Sequence, residues 1–386
     1  MHPQSAFDQQ ISGCHRTVER VNPIEFGEWD SRLAEHPHAT VFHTAAWARV
    51  LAETYRLKPC FFLLRDDSGA FQGLLPCMSS GSRWRGYRCV SLPFTDACPP
   101  LLPDEDQTAT PSTLGCLRTI PEEPCGSLDR LASNQPLLAA ALRHAESIGA
   151  RYLELRDSAV WTRPFLPSVS FHGHEVPLFS DEESQLARCS PAMRRGLRKG
   201  IRSHLSLKEG REWTDMEAYY ALHCQTRRRH GIPPQPLEFF RNIHRAIVSK
   251  GNGFVVLASV GGSTIAGAVF LTFGKHALYK FGASVETHLH LRPNNAVLWH
   301  GIRTCAQAGF SHLDLGRTSL DNEGLRRFKL ALGGEERLIH CVRHDVRLGH
   351  IVATPDRAHG WHNRIFRLLP LTVNRALGEV LYRLEA

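Results

Sequence analysis

The 386-residue sequence lacks the features that define several large classes of protein. No apolar run approaches the length of about 20 residues that a membrane-spanning helix needs. The amino terminus, MHPQSAFDQQ, has neither a basic start nor an apolar core that would direct export. No P-loop, dinucleotide fingerprint or nucleophile elbow occurs. These absences predict a cytoplasmic protein and argue against the chemistries that those motifs carry.

Cysteine is present but shows no pairing pattern. The count is eleven, an odd number, and residues such as Cys60, Cys77 and Cys89 are scattered without close pairs. In a chain of this length, that pattern predicts reduced and mostly buried thiols. His288 and His290 would share one face of a strand, but no third ligand accompanies them. We therefore predict neither a metal site nor a tightly bound cofactor.

The composition is that of a globular protein with a basic surface. Hydrophobic residues make up 42% of the chain and charged residues 22%, which is too apolar for a disordered protein. The net charge of +8 favours partners that carry phosphates, such as a nucleotide cofactor, RNA or anionic lipid. The length suits two domains, each able to bury a core.

The most informative stretch runs from residue 278 to residue 334. Its apolar residues Val297, Leu298, Ile302 and Cys305 recur at helical spacing, and Gly309 can close the last turn in a left-handed conformation. Residues 311–316 then alternate between polar and apolar side chains, as a half-buried strand does. A strand, a docked helix and a returning strand form the unit that, in acyl-transfer folds, opens a sheet to admit a thioester or ester.

The helix and returning strand recur 160 residues earlier. AALRHAESIGARYLELRD and GIRTCAQAGFSHLDLGRT share a helix, a glycine and an alternating strand, so that Gly149 corresponds to Gly309 and Leu153 to Leu313. Each is preceded by two apolar strands around a glycine turn. The pattern predicts an α/β (α+β) fold of two tandem, similar mixed-sheet modules flanked by helices.

The module boundaries follow from composition and helix punctuation. Ser190 and Pro191 mark the start of a helix whose apolar stripe is Met193, Leu197 and Ile201. Residues 361–386 can form a helix docked on the protein or one lying on an anionic membrane. We predict a flexible tail at 1–20, a first module at 21–158 with a loop or insertion at about 103–134, a connector at 159–189, a second module at 190–345 and a basic amphipathic tail at 346–386.

Several strings occur together and in order: ATVFHTAAWARVL, VSLPFTDACPPL, YLELRD, TRRRHGIPPQP, LYKFGAS, LRPNNAVLWHGI, LDLGRT and NEGLRRFK followed by GG. They resemble the FemA/FemB-like branch of the GNAT superfamily of N-acyltransferases, including members associated with exopolysaccharide and exosortase gene clusters. The resemblance spans roughly residues 21 to 345. It implies two GNAT-like modules, of which the second carries most of the donor site.

The resemblance also implies transfer of an acyl or aminoacyl group to an amine. Typical members that use acyl-coenzyme A hold its pyrophosphate on a Gly-rich loop, but this chain has LRPNNAVL at that place. The co-substrate, acyl-coenzyme A or aminoacyl-tRNA, therefore stays open. The implied acceptor is an amino group of a cell-envelope saccharide or peptidoglycan-type precursor, met in the cytoplasm or at the inner face of the membrane. The alternatives are an aminoacyl-tRNA-dependent transferase and a non-catalytic module that binds an anionic glycan or lipid-linked precursor.

Three residues are predicted to be catalytic. N-acyl transfer needs an unprotonated amine, donors for the tetrahedral oxyanion and a route for a proton. Lys329 is predicted to neutralise donor phosphate or developing charge, unless it is a solvated helical lysine. Arg317 follows a strand and could hold a phosphate or carboxylate, or could pair with Asp314 or Asp321. Asp314 could orient Arg317, deprotonate the amine, or serve structure alone.

Nine further residues are predicted to bind the substrate or donor. They comprise a strand lysine between two aromatics, two asparagines that could instead cap a helix, neighbours of the catalytic candidates, and arginines that could contact phosphates or simply form a solvated face. The residues are Lys280, Asn294, Asn295, Thr318, Phe328, Arg227, Arg228, Arg194 and Arg198.

Overall fold

The computed structural model describes residues 7–11, 14–82, 86–103, 128, 135–157, 166–356 and 362–385. The strands in these residues are β1 Phe7–Ile11, β2 Cys14–Val21, β3 Lys58–Pro59, β4 Phe61–Arg65, β5 Phe71–Leu75, β6 Met78–Ser82, β7 Gly86–Val90, β8 Ala150–Arg156, β9 Val169–Pro177, β10 Ser206–Gly210, β11 Gly253–Val260, β12 Ser263–Phe273, β13 His276–Ser284, β14 His312–Ser319, β15 Glu335–Asp345 and β16 His350–Ile351. The helices are α1 Trp29–Leu33, α2 Ala45–Tyr55, α3 Pro136–Ser147, α4 Glu182–Arg188, α5 Pro191–Arg202, α6 Trp213–Arg229, α7 Leu237–Ala246, α8 Pro293–Gln307, α9 Glu323–Ala331, α10 His362–Leu368 and α11 Leu371–Glu385.

The described residues form two compact units. The first unit draws on Met1–Phe26, Leu57–Ser170 and Ile339–Asp356, and the second on Gly27–Arg56, Phe171–Leu338 and Arg357–Ala386. The units therefore differ from the boundaries that the sequence suggested. Helix α2, which lies within the predicted first module, belongs to the second unit, and the end of β15 with β16 belongs to the first.

The first unit contains one antiparallel sheet, in the order β1-β2-β4-β5, and a second set of strands in which β7 and β8 are parallel neighbours. Helix α3 contributes Leu137, Leu138 and Leu142 to a buried apolar cluster that also contains Leu153 and Leu155 of β8. In place of a flexible tail, the described part of residues 1–20 forms the hairpin β1–β2. The predicted loop at 103–134 falls outside the described residues, apart from 103 and 128.

The second unit is built on strands in the order β10-β11-β12-β13-β14-β9. Neighbours are antiparallel except β13 and β14, which are parallel. Helix α8 buries its stripe, including Val297 and Ile302, in a cluster with Phe254 and Phe270. A further aromatic group links α2, α6, α7 and β13 through Trp47, Tyr219, Phe239, Phe240 and Phe281.

The internal repeat is visible in the topology of the two units. Each contains a strand, a helix and a returning parallel strand, namely β7–α3–β8 in the first unit and β13–α8–β14 in the second. Gly149 and Gly309, which end the two helices, both have left-handed backbones, with φ of 62° and 84°. The prediction of two tandem mixed-sheet modules is therefore confirmed.

Eight of the cysteines among the described residues, from Cys60 to Cys341, are free and buried, in agreement with the predicted reduced thiols. The expected stripe of helix α5 is only partly correct. Met193 and Leu197 are buried, whereas Ile201 is 75% exposed, because the packed surface ends one turn before the helix does.

The carboxy-terminal helix α11 docks on α6. Arg227 donates to the hydroxyl of Tyr382 at 2.5 Å, and the guanidinium of Arg375 lies 5.4 Å from the ring centre of Tyr220. Leu368, just before α11, remains 82% exposed. None of the helices in the described part of the chain combines the length and the apolar character that a bilayer crossing needs.

Candidate active site

The parallel strands β13 and β14 separate soon after they begin. Their ladder consists of three pairs, which are His276 with His312, Ala277 with Leu313, and Leu278 with Asp314. Beyond these pairs β13 continues to Ser284 alongside β12, and β14 continues to Ser319 alongside β9. The facing edges of the two strands therefore carry backbone groups that do not hydrogen-bond across the gap. Backbone amides in such a place can stabilise a developing oxyanion.

The first unit closes the corresponding gap. Strand β7 pairs with β8 up to Val90, its last residue. Glu154, the counterpart of Asp314, is buried and held by Arg156 at 3.0 Å and by Arg343. The coulombic attraction and hydrogen bonds of both guanidiniums outweigh burial, so the pKa of Glu154 lies below its usual range. The opening between parallel strands is thus a feature of the second unit.

Lys280 is the extra residue of a β-bulge in β13, since Val269 and Phe270 of β12 pair with Phe281 and Tyr279. Its ammonium lies 5.0 Å from the ring centre of Phe42, 5.6 Å from that of Trp47 and 5.4 Å from that of Phe281. Three aromatic faces attract the charge through their quadrupoles. These contacts favour a structural role for Lys280 over the predicted binding role.

On the other side of the opening, a second irregularity shapes β14. Its register with β9 shifts between Asp314 and Arg317, and Gly316 there has a left-handed φ of 70°. Asp314 accepts a hydrogen bond from the Gly316 amide at 2.6 Å. Lys329 of α9 is only 3% exposed and donates to the carbonyls of Gly316 at 2.8 Å and Arg317 at 3.1 Å. Asp314 and Lys329 therefore both hold the shape of the bulge.

The next residues of β14, Arg317 and Thr318, are arranged more as ligand-binding residues are. The guanidinium of Arg317 lies 4.4 Å from the ring centre of Phe171, and it forms no ion pair with a carboxylate in the described residues. The predicted alternative, pairing with Asp314 or Asp321, is not what the structure shows. Thr318 is 2% exposed, and its hydroxyl has no hydrogen-bond partner among the residues described. Phe328 packs on the apolar cluster beneath α8.

Two histidines on β9 complete this end of β14. His174 is buried with Nε2 at 3.1 Å from Glu336, and Nδ1 of His172 lies 3.4 Å from the same carboxylate. Arg326 holds Glu336 through two bonds, of 2.7 and 3.0 Å. The hydrogen bond from Arg326 is the main cause that lowers the pKa of Glu336. Burial, helped by the charge of Lys329, lowers the pKa of His174 to about 4.

His174 is therefore a neutral imidazole beside an anionic carboxylate at pH 7. The contact with Glu336 favours a proton on Nε2, which leaves Nδ1 as an acceptor. Nδ1 of His174 is buried and has no hydrogen-bond partner in the described part of the chain. The sequence did not predict a role for His172 and His174, because residues 159–189 were interpreted as a connector. The alternation of His172 and His174 in VSFHGHEV was the available signal.

The start of α8 lies against α5. Asn295 directs Nδ2 at the sulfur of Met193, 2.9 Å away, and Asn294 donates to the hydroxyl of Ser284 at 3.2 Å. Neither asparagine caps the helix, so that interpretation is wrong. Pro293 opens the first turn, and the cap is Arg292, whose side chain makes no capping bond. On α5, Arg194 is half-buried and Arg198 is exposed.

A basic cavity of about 560 Å³ adjoins the end of β13. Arg229 on its wall also donates to the carbonyl of Ser284 at 3.3 Å. Arg227 turns away, toward the carbonyl of Pro233 and Tyr382. The cavity residues, which we call the arginine basin, are Gln225, Arg228, Arg229, His230, Glu286 and Arg367. Of the two arginines predicted from this helix, Arg228 therefore faces a cavity that an anion can enter.

Known proteins share features of the sequence and the fold. A family profile described as an acetyltransferase (GNAT) domain matches residues 188–330. Among solved structures, FemX is similar, with 12% identity and a TM-score of 0.61, over 80% of this chain and 94% of FemX. L-PGS from Bacillus licheniformis matches with 10% identity and a TM-score of 0.48, over 93% and 98% of the two chains. A tandem GNAT protein from the clavulanic acid biosynthesis pathway matches with 13% identity and a TM-score of 0.47, over 86% and 98%.

No curated protein sequence matches the chain significantly. The profile match covers α5 through α9, and it includes the two strands that separate. The segment that matches the GNAT domain profile therefore lies within the second unit. Over 80% of the chain the fold is similar to that of FemX.

Proposed function

We propose that this protein is an N-acyltransferase that modifies an amino group of a cell-envelope saccharide or peptidoglycan-type precursor. The observation that carries the proposal is the separation of β13 and β14 after three residue pairs, within the segment that matches the GNAT domain. An activated carbonyl that enters between the strands would meet backbone amides on both sides.

The chemistry requires one bond exchange. The amine nitrogen attacks the carbonyl carbon, the new C–N bond forms, and the C–S bond of a thioester or the C–O bond of an ester breaks. The amine loses one proton and the leaving group gains one. Nδ1 of His174 is a candidate acceptor in this proton balance, because it is neutral at pH 7 and has no other partner in the described residues.

Arg317 and Thr318 are the side chains of β14 that we assign to substrate contact. A guanidinium stacked on Phe171 keeps its outer N–H groups directed for a carboxylate or phosphate. The buried hydroxyl of Thr318 lacks a partner, and a buried polar group normally has one. In this proposal, Lys329 and Asp314 are positioning residues, because their contacts hold the bulge of β14.

The arginine basin supports binding of donor phosphates. Arg228, Arg229 and Arg367 converge on one cavity, and Arg229 also contacts Ser284 at the end of β13. Phosphates of acyl-coenzyme A would fit this charge. The stem phosphates of aminoacyl-tRNA would fit it equally. The arginine basin therefore also supports the second candidate function, aminoacyl-tRNA-dependent transfer. The exposed arginines of α5 would extend such a surface.

A donor screen tests the proposal. The purified protein is given acetyl-coenzyme A or charged tRNA, together with nucleotide-linked and lipid-linked amino sugars, and products are read by mass spectrometry. We expect one donor to yield an acylated amine, and Arg317→Ala and Thr318→Val to reduce the yield at least tenfold. Arg347→Ala, at an exposed turn after β15, is the matched control. A protein that binds neither donor and acylates no amine would instead be the non-catalytic binding module.

A further inference from the structure

A second cluster of polar side chains lies at the paired ends of β13 and β14, away from the opening. His276 is the first residue of β13 and His312 the first of β14, and the two are direct partners in the ladder. Glu175 of β9 is the partner of Asp314, two residues after His312. Directly paired residues and residues two apart share a face of a sheet. Three neighbouring strands thus present His276, His312 and Glu175 on the same face.

The three side chains converge. One ligand atom from each of Glu175, His276 and His312 lies within 4.8 Å of the other two. The imidazole rings stack with centres 6.3 Å apart and planes at 22°. A tetrahedral cation with bonds of about 2.0–2.1 Å needs donor separations of roughly 3.3 Å. Small rotations of half-buried side chains suffice to reach that distance.

Both imidazoles already use one nitrogen for an outer contact. Nε2 of His276 lies 2.7 Å from the carbonyl oxygen of Pro37, and Nδ1 of His312 lies 3.0 Å from the hydroxyl of Ser311. A carbonyl accepts only, so the proton of His276 is on Nε2 and the lone pair is on Nδ1. Metal-binding histidines are typically oriented in this way by a carbonyl or hydroxyl on the second nitrogen.

Glu175 is the least explained member of the cluster. It is half-buried, yet it has no hydrogen bond or ion pair with any residue that the structure describes. A partly buried carboxylate is normally paired or coordinates a cation. Two imidazoles and one carboxylate are a donor set that suits Zn²⁺ and related transition metals.

We propose that Glu175, His276 and His312 bind one divalent transition-metal ion, Zn²⁺ being the best match, with water in the fourth position. Thr318 is six residues along β14 from His312, roughly 20 Å at the rise of a strand. The ion is therefore too far from Thr318 to act on a substrate that this residue contacts. It clamps β9, β13 and β14 at their paired ends and so fixes the point from which the strands separate.

Metal titration of the tag-free full chain, stripped with chelator, tests the proposal. We expect one equivalent of Zn²⁺ to bind by calorimetry and to raise the unfolding temperature. Co²⁺ should give visible d–d absorption of a four- or five-coordinate site. His276→Ala and Glu175→Gln should each abolish stoichiometric binding. The double variant His288→Ala/His290→Ala removes a second histidine pair, one that belongs to no three-ligand cluster in the described residues, and should bind as the wild type does.

Three results would overturn the site. The first is wild-type protein that takes up less than one equivalent of both metals, and the second is binding that survives Glu175→Gln together with His276→Ala. The third is loss of binding in the His288→Ala/His290→Ala control. Circular dichroism of each metal-free variant checks the fold, which we expect to be retained because Glu175 and His276 are half-buried and outside the apolar clusters. The outcome is independent of the donor screen, so each experiment can support or contradict its own proposal without affecting the other.

Discussion

Lys329 places its ammonium 2.8 Å from the carbonyl oxygen of Gly316, in a position where the side chain is almost completely buried. A second bond, of 3.1 Å, reaches the carbonyl of Arg317. The helix α9 is thereby fastened to the bulge of β14, immediately before Arg317 and Thr318. A lysine predicted to contact substrate directly thus has contacts that hold in place the residues we assign to that task.

Lys329→Met should lower the free energy of unfolding by about 2–3 kcal/mol, since two buried carbonyl oxygens lose their donor while the apolar volume is nearly kept. Urea denaturation measures this change. Lys199→Met, at an exposed position of α5, should stay within about 0.5 kcal/mol of the wild type. Equal losses in the two variants would contradict the role assigned to Lys329.

The strand–helix–strand unit of the second module could be predicted because its signals are local. Apolar residues at helical spacing, Gly309 after them and the alternation at residues 311–316 each depend on a few neighbouring residues. Helix α8 and strand β14 are found where these patterns lie. The repeat spaced by 160 residues added the tandem fold, because both copies keep the same order of elements.

Much of the candidate site could not be predicted, because strand order creates it. His174 and Glu336 are 162 residues apart and meet only in the folded second unit. The bulge at Lys280 depends on its register with β12, which no local pattern reports. The prediction of the helix caps was wrong for a different reason. Pro293 takes the first helical position and displaces Asn294 and Asn295 into the first turn.

Acid should destabilise the protein through two buried histidines. Burial lowers the pKa of His223 to about 3 and that of His174 to about 4, against an ordinary value of about 6.5. Between pH 6.5 and pH 4 the unfolded chain binds more protons than the folded one. The free energy of unfolding therefore falls as the pH decreases through this window, by about 2 kcal/mol for each histidine at pH 5.

Denaturation curves at pH 8 and pH 5 check this expectation. His223→Gln should be less stable than the wild type at pH 8, because the aromatic packing around it is lost, but its further loss on going to pH 5 should be smaller by about 2 kcal/mol. His290→Gln, at an exposed position, should keep the full pH dependence. A wild type equally stable at both pH values would refute the neutral state assigned to His174 and His223.

The arginine basin and the basic face of α5 are two possible sites for anion binding, and variants can distinguish them. If the basin holds the donor phosphates, replacing Arg228, Arg229 and Arg367 with alanine should weaken binding of the donor. For tRNA, each lost contact should reduce the slope of log affinity against log salt by about 0.7–0.9. The matched triple variant on α5, at Arg195, Arg198 and Lys199, removes the same charge outside the basin. A greater loss in the α5 variant would move the phosphate site to that helix.

Two helical glycines offer a direct test of how α8 packs on the sheet. A methyl group on Gly301 would lie 2.0 Å from the ring of Phe270, whereas on Gly324 of α9 the nearest atom outside the helix backbone is 3.8 Å away. Alanine favours a helix over glycine by about 0.5–1 kcal/mol, but overpacking a core costs about 1–3 kcal/mol. Gly301→Ala should therefore reduce the free energy of unfolding, and Gly324→Ala should raise it slightly. Thermal and urea unfolding of the two variants measure both signs. A stabilised Gly301→Ala would contradict the close packing of α8 against Phe270.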